Sequence, residues 1–394
     1  MEMGIYRGIF TYPWYHDGAR KAKGGFKMIQ WDAATIKQFQ DTLLGWYDAH
    51  GRALPWRRDH APYHVWLSEV MLQQTGVQTV IPYYERWLAH WPTLTDLAAA
   101  DEAAVLKEWA GLGYYSRARN LLKTAQIITQ ERGGQWPTTA AGLKQLPGIG
   151  DYVAGAVASI AFGEPVPAID GNAYRVFARL LLIDTDIRSG AAQRVFRAAI
   201  TPLIPQDRPG DFNQAVMDLG SSYMTAKHPD SAHSPVAAFD AAYQQGVTDQ
   251  YPVKSAKKKP VAKTYTALVL TTPDGQAVWQ QRPSRGLLAS LWTWPLLTGD
   301  QRAATVPELL TQLAAAHAIT MASAAVLRDQ SVGAGSVTHV FTHQHWTVYL
   351  RHLTLAAPTA LPANARWLPL AQQTLAEPTL QRKMAAYYNK NKTD

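Results

Sequence analysis

Residues 152–162 read Tyr-Val-Ala-Gly-Ala-Val-Ala-Ser-Ile-Ala-Phe, a run with no charge and no polar face. A helix apolar on every side has to be enclosed by other elements, so this run predicts a buried central helix around which a helical domain is built. It follows Leu146-Pro147-Gly148-Ile149-Gly150 and precedes Asp170-Gly171-Asn172, a second helix start. A Pro-Gly-x-Gly turn leaves backbone N–H groups pointing outward beside a helix N-terminus, which suits a phosphate oxygen. Alone, such a turn is usually only a connector, and an aspartate before a helix is usually an N-cap. Capping and catalysis are compatible, because amides that bond a carboxylate favour its ionised form.

Helical spacing of apolar residues recurs over Ile36–Ala49, Tyr63–Thr75, Val80–His90, Ala103–Ala110, Ala118–Gln130, Ala173–Leu182 and Asn213–Tyr223. The pattern then changes. Residues 251–263 gather Lys254, Lys257, Lys258, Lys259 and Lys263 with Pro252 and Pro260, and read as an exposed linker. Beyond them, Tyr265–Thr271 and Ala277–Arg282 flank Pro273-Asp274-Gly275, a hairpin signature. Further strands are expected at Ser336–Phe341 and His345–Leu353, and a helix at Val306–Ala316. The expected organisation is an extension over residues 1–30, a helical domain over 31–250, the linker, and a smaller α+β domain over 264–394. Residues 1–27 show no periodicity and no signal-peptide core, and are expected to be a flexible extension or an upstream start.

The chain of 394 residues carries 38 Lys and Arg against 30 Asp and Glu, a formal charge of +8 that favours a polyanionic partner. A basic protein with no such partner remains compatible with composition alone. With no cysteine, disulfides, thiolate metal sites and a cysteine nucleophile are excluded. No apolar run is long enough to span a membrane, so none is expected to be engaged, and the cytoplasm is the default compartment.

The motifs together resemble one family. Leu146–Gly150 with Asp170-Gly171-Asn172 is similar to the helix-hairpin-helix motif and catalytic aspartate of the endonuclease III superfamily of base-excision glycosylases. Arg52-Ala53-Leu54-Pro55-Trp56-Arg57, Val65–Thr75 and Gly111–Leu121 resemble its MutY-type adenine glycosylases. The resemblance implies a two-domain protein: a mostly α-helical glycosylase domain, then a smaller α+β Nudix-like domain. It implies that Glu69 is the general acid and base and that Asp170 stabilises the sugar cation, two carboxylates of opposite protonation as in glycoside hydrolysis. Glu69 sits among Val65, Leu67, Val70 and Leu72, where desolvation would raise its pKa. Tyr152 stands where relatives that also cut the backbone carry a Schiff-base lysine, which implies a monofunctional enzyme; in the family this tyrosine supports the aspartate. Arg52, Trp56, Arg57, Leu72, Asn172 and Gln214 are expected around an extruded adenine. Gln74, Thr75, Leu112, Gly113 and Tyr114 are expected at the opposite strand, and Gly148 and Gly150 at a phosphate.

Counting the family's cluster-cysteine spacing beyond Gly220 lands on Met224, Ser231, Ser234 and Asp240. No thiolate is available, so no iron–sulfur cluster is expected and no cofactor is required. His228, Asp230, His233 and Asp240 match no strong metal pattern. An alkali or calcium ion at the Gly148 hairpin is compatible with the resemblance. Residues 264–388 resemble the family's lesion-recognition domain, with Leu291-Trp292-Thr293-Trp294-Pro295 as its aromatic stretch. Phe341-Thr342-His343 stands in the loop that probes 8-oxoguanine. The glutamate-rich box of Nudix hydrolases is missing after Gly299, so no pyrophosphatase activity is expected. The implied partner is double-stranded DNA holding adenine opposite 8-oxoguanine or guanine, met by a monomer at the nucleoid. The alternatives are a related glycosylase for another base, or a non-catalytic DNA-binding protein.

Overall fold

The computed structural model describes residues 28–256, 259–371 and 375–392. The expected extension over 1–27, Lys257 and Lys258 of the linker, and the last two residues lie outside the described residues. Two compact units are resolved: Met1–Ile81 with Gln130–Ala256, and Pro82–Thr129 with Lys257–Asp394.

The first unit is helical. Asp32 starts the Ala33–His50 helix by accepting the Thr35 amide at 2.8 Å. The all-apolar run forms the Asp151–Phe162 helix, buried from Val153 through Ser159. Its small residues let neighbouring backbone approach: a Cβ on Gly155 would sit 2.3 Å from the Pro167 carbonyl oxygen. Phe39, Leu43, Val176, Phe177, Phe196, Phe212 and Leu219 form the adjoining core, drawn from the helices Ala33–His50, Gly171–Leu181, Ala192–Ile200 and Pro209–Ser222. The Pro62–Leu72 helix is buried on nearly all sides, from Val65 to Met71.

The second unit joins short helices to a sheet. Its helical part, including Glu102–Glu108 and Ser116–Gln126, packs around Trp87, whose ring lies 4.8 Å from Trp91 and 5.6 Å from Trp109. Among the described residues its strands are β1 Val261–Thr271, β2 Gln276–Gln281, β3 Trp292–Thr293, β4 Leu296–Thr298, β5 Val326–Ser331, β6 Val337–Val340, β7 Gln344–Leu355 and β8 Ala365–Pro369. The central order is β3-β2-β1-β7-β5; β4 pairs β1, β6 pairs β7 and β8 pairs β2. β1 and β7 run parallel, and the other pairs are antiparallel. Period-two alternation explains the layering. Ala267 and Val269 of β1 face a core completed by Leu380, Met384 and Tyr388 of the Thr379–Asn391 helix. Leu268 and Leu270 face the other, with Leu309, Leu310 and Leu313 of the Val306–His317 helix. The sheet is therefore covered on both faces. The Asp-Gly turn forms as expected, with Gly275 at φ 82°.

The linker is exposed over residues 253–256 and 259–263, but its ends are tied down. Tyr251 packs on the helical core and accepts from Arg179, and Val253 accepts from Ile187, so this stretch is anchored. Val261–Lys263 already pair with β7. Lysine content marked the segment as polar, but β-pairing and main-chain bonds hold its ends. The Ala192–Ile200 and Thr379–Asn391 helices had no strong expectation behind them. No helix among the described residues is long and apolar enough to cross a membrane.

Met384 is fully buried between its helix and the sheet. Met384→Ala should cost about 2–5 kcal/mol in urea unfolding; an unchanged midpoint would mean that this helix does not close the sheet face.

Candidate active site

Glu69 and Asp170 come together in the first unit, at a cavity of about 210 Å³. The helices Pro62–Leu72, Asp151–Phe162, Gly171–Leu181 and Pro209–Ser222 all contribute to its walls. Trp56, Arg57, Leu72, Tyr152, Asn172 and Gln214 line it with the two carboxylates, and Arg52 stands at the same cavity. Every residue expected at the adenine pocket is therefore assembled in one place.

Glu69 is 4% exposed, and burial pushes its carboxyl up to about 7, with the Asp170 charge adding to the rise. The Tyr152 hydroxyl, which donates to Glu69 Oε2, and the Arg57 charge oppose the rise. Tyr152 thus supports the glutamate; the expectation that it braces the aspartate is corrected. Burial also holds the Tyr152 phenol protonated, well above its ordinary range.

Asp170 caps the Gly171–Leu181 helix. Its Oδ1 accepts from the amides of Asn172 and Ala173, both at 2.8 Å, and its Oδ2 from Asn172 Nδ2 at 2.6 Å. Burial nevertheless raises its pKa above the ordinary carboxylate value, outweighing these bonds and the Arg175 charge. The amides moderate the cost of ionisation but do not abolish it. Arg175 continues the chain by donating to Asn172 Oδ1 at 2.5 Å and to the Gly220 carbonyl at 2.8 Å. Gly220 must be glycine for this fit, since a Cβ there would lie 2.6 Å from Asn172 Cβ.

Opposite them, Asp218 is 3% exposed and holds both arginines. Arg57 reaches it at 2.7 and 2.9 Å, and Arg52 Nε at 2.6 Å. These charges keep the Asp218 carboxyl below its usual range despite burial. Nothing in sequence spacing links Asp218 to Arg52 and Arg57. Its place on the Pro209–Ser222 helix, one turn after Gln214, was the available signal.

The hairpin forms as expected. Leu143, Leu146 and Ile149 are buried anchors, while Gly148, at φ 76°, and Gly150 are exposed. The following helix has no side-chain cap, so its first amides face outward.

Met224, Ser231, Ser234 and Asp240 are all buried, and none offers a thiolate; they do not fit a four-thiolate cluster. Met224 belongs to the core, its carbonyl accepts from Arg175, and Asp240 caps the Ala241–Gln244 helix. Arg179, one turn after Arg175, ties in the Thr225 and Tyr251 carbonyls. Among the described residues no group of three or more His, Cys, Asp or Glu is arranged to hold a metal. His233 bonds Asp230 at the surface instead.

Two sequence models match the chain: the HhH-GPD superfamily of base excision DNA repair proteins over residues 67–202, and the NUDIX domain over residues 266–387. The adenine DNA glycosylase of Homo sapiens is 36% identical over 422 residues, covering 91% of this chain and 75% of its own. That of Schizosaccharomyces pombe is 30% identical, covering 82% and 83%. The chain belongs to the adenine DNA glycosylases. It is a DNA N-glycosylase, with its helical and Nudix-like domains in the expected order.

The glycosylase's remaining expected DNA contacts are divided between the units. Gln74, at φ 60° and exposed, and Thr75 close the Glu69 helix in the first unit. In the second, Tyr114 is 49% exposed with φ 46°, and its hydroxyl lies 2.7 Å from Thr342 Oγ1. Gly113 precedes it at φ 70°, its carbonyl accepting from Trp109. Phe341 is anchored on Trp346 at 4.8 Å, which leaves Thr342 and His343 exposed. Leu112 departs from expectation: it is 6% exposed and part of the packing, so its side chain presents nothing to a partner.

Removing Asp218 leaves Arg57 buried without a counter-charge. Asp218→Ala should therefore destabilise the glycosylase by about 3–5 kcal/mol in chemical unfolding. A loss below about 1 kcal/mol would show that the two arginines find other partners.

Proposed function

We propose that the glycosylase removes adenine paired with 8-oxoguanine, or with guanine, as one step of base excision repair. The observation that carries the reading is the pairing of Glu69 and Asp170 in one cavity, one carboxyl poised to hold a proton near neutral pH and the other bonded by three donors. The cavity is smaller than the roughly 300–1,000 Å³ of drug-sized sites and scaled to a single base. Adenine extruded from the duplex occupies it, at an unstacking cost of a few kcal/mol.

Protonated Glu69 delivers its proton to a ring nitrogen of adenine, and the bond from that base to C1′ breaks with the electron pair leaving on the base. Asp170, as carboxylate, faces the resulting sugar cation. Water then adds at C1′, and the Glu69 carboxylate takes the proton that water gives up. The products are free adenine and an abasic site. Tyr152 has no amine with which to form a Schiff base, so the strand is left intact. The hairpin at Gly148 takes a DNA phosphate, directly or through an alkali or calcium ion. The Tyr114–Thr342 loops, with Phe341 and His343, meet the base opposite. No iron–sulfur cluster takes part: Arg175 and Arg179 hold the segment that a cluster would brace. The protein works as a monomer at the nucleoid.

Duplexes with adenine opposite 8-oxoguanine, guanine or thymine test this in single turnovers, with products read before and after alkali. Alkali-dependent cleavage of the adenine strand opposite 8-oxoguanine is expected. Glu69→Gln and Asp170→Asn should bind the duplex yet lose at least about a hundredfold in rate. Cleavage without alkali would exclude the monofunctional reading, and release of a different base would favour another target.

A step that draws on the Glu69 proton slows as pH rises through about 7, by tenfold per unit beyond it. The Tyr152 bond favours ionised Glu69, so Tyr152→Phe should move this basic limb to higher pH. A limb that stays in place would mean that another group supplies the proton.

A further inference from the structure

A cavity of about 270 Å³ lies within the second unit. It is formed where the ends of β2 and β4 meet the C-terminus of the Val306–His317 helix. Tyr265, Gln280, Arg282, Thr298, His317 and Asn364 are the lining residues that matter. No aspartate or glutamate among the described residues lines it.

Arg282 is the anomaly. Its Nε is buried and has no hydrogen-bond partner. Its guanidinium rests 5.9 Å from the Trp346 ring centroid, a weak contact for a cation largely withdrawn from water. Withdrawn charges in proteins are normally paired, because desolvation costs several kcal/mol per ion. Burial is the largest influence on the guanidinium and lowers its pKa. His317 adds a second irregularity. Its Nδ1 is 2.5 Å from Gln280 Oε1 and its Nε2 is 3.0 Å from the Leu296 carbonyl. Gln280 Nε2 in turn donates to the His317 carbonyl, which fixes the amide's orientation. Two acceptors therefore face one imidazole, and only a doubly protonated ring satisfies both. Asn364 Nδ2 makes a single long contact, 3.4 Å to the Gln281 carbonyl. A cation without a counter-charge among the described residues and a histidine facing two acceptors border the same space, with the exposed Asn364 amide at its rim.

We propose that this cavity binds a phosphomonoester of about nucleoside-monophosphate size, with the Arg282 guanidinium on the phosphate. The planar guanidinium fork matches phosphate oxygens in a bidentate fashion. Asn364 supplies a neutral donor, and a bound dianion gives His317 the counter-charge that its two acceptors call for. The volume exceeds what a bare inorganic ion fills and lies near the lower bound for small-molecule sites. A free nucleotide and the phosphorylated end of a DNA strand share this chemistry.

Calorimetric titration of the full chain with inorganic phosphate, with dCMP and with a 5′-phosphorylated oligonucleotide tests the site. Saturable one-to-one binding of dCMP is expected, weakened at least tenfold in Arg282→Gln and retained in Gly148→Ala, which alters the hairpin. Binding of dCMP assigns a free nucleotide; binding of the phosphorylated oligonucleotide alone, with the same dependence on Arg282, assigns a DNA end, and both support the site. Ala316→Phe fills the cavity from its exposed rim without removing a buried charge, and should abolish binding while the melting temperature stays at the wild-type value. Absence of binding, or binding indifferent to Arg282→Gln and Ala316→Phe but lost in Gly148→Ala, would overturn the proposal.

Discussion

The desolvation of two carboxylates in one cavity is the constraint on which the first unit depends. Burying an ion costs several kcal/mol even after relaxation, and two like charges make the second ionisation harder. The surrounding elements divide these costs. Glu69 is held near its neutral form by burial on the Pro62–Leu72 helix, against the pull of the Tyr152 bond and the Arg57 charge. Asp170 receives three hydrogen bonds at a helix N-terminus, backed by Asn172 and Arg175. The same helix therefore positions the aspartate and, through Arg175 and Arg179, secures the segment that follows Ser222. Asp218 neutralises Arg57 beside Glu69, so the arginine neither floats nor drives the glutamate fully to its carboxylate.

The second unit is governed by a different rule. Its central strand is buried on both faces, so each face needs its own helix, and the two cores draw on alternate residues of one strand. That economy leaves strand ends and connecting loops free for chemistry. One set of loops carries Tyr114, Thr342 and His343, while another edge leaves Arg282 facing a cavity without a counter-charge. A helical domain with a polar cavity and a sheet domain with exposed loops are separate solutions to the same requirement: function must sit where backbone bonding is already complete.

Much of this was legible in advance. The all-apolar run fixed the central helix because no other environment tolerates it. The Asp-Gly turn fixed the hairpin because positive φ at Gly275 favours glycine. Six of the residues expected at the base pocket meet around one cavity with both carboxylates. Other features were not legible, since they depend on residues far apart in the chain. Asp218 lies 166 residues from Arg52, and no periodicity predicts such a bond. Leu112, placed at the opposite strand by the resemblance, turns inward, and the Lys-rich stretch around Tyr251 is tied by main-chain bonds that composition does not encode.

By itself, the sequence determined the element types, the order of the two domains and the absence of thiolate ligands. These follow from local periodicity, turn chemistry and side-chain inventory, which need no knowledge of what is nearby. Only the tertiary structure decided that Tyr152 bonds Glu69, that Asp218 clamps two arginines, and that Arg282 Nε has no hydrogen-bond partner among the described residues. Protonation and hydrogen bonding depend on what surrounds a group within a few ångströms. That neighbourhood exists only once distant segments have packed together.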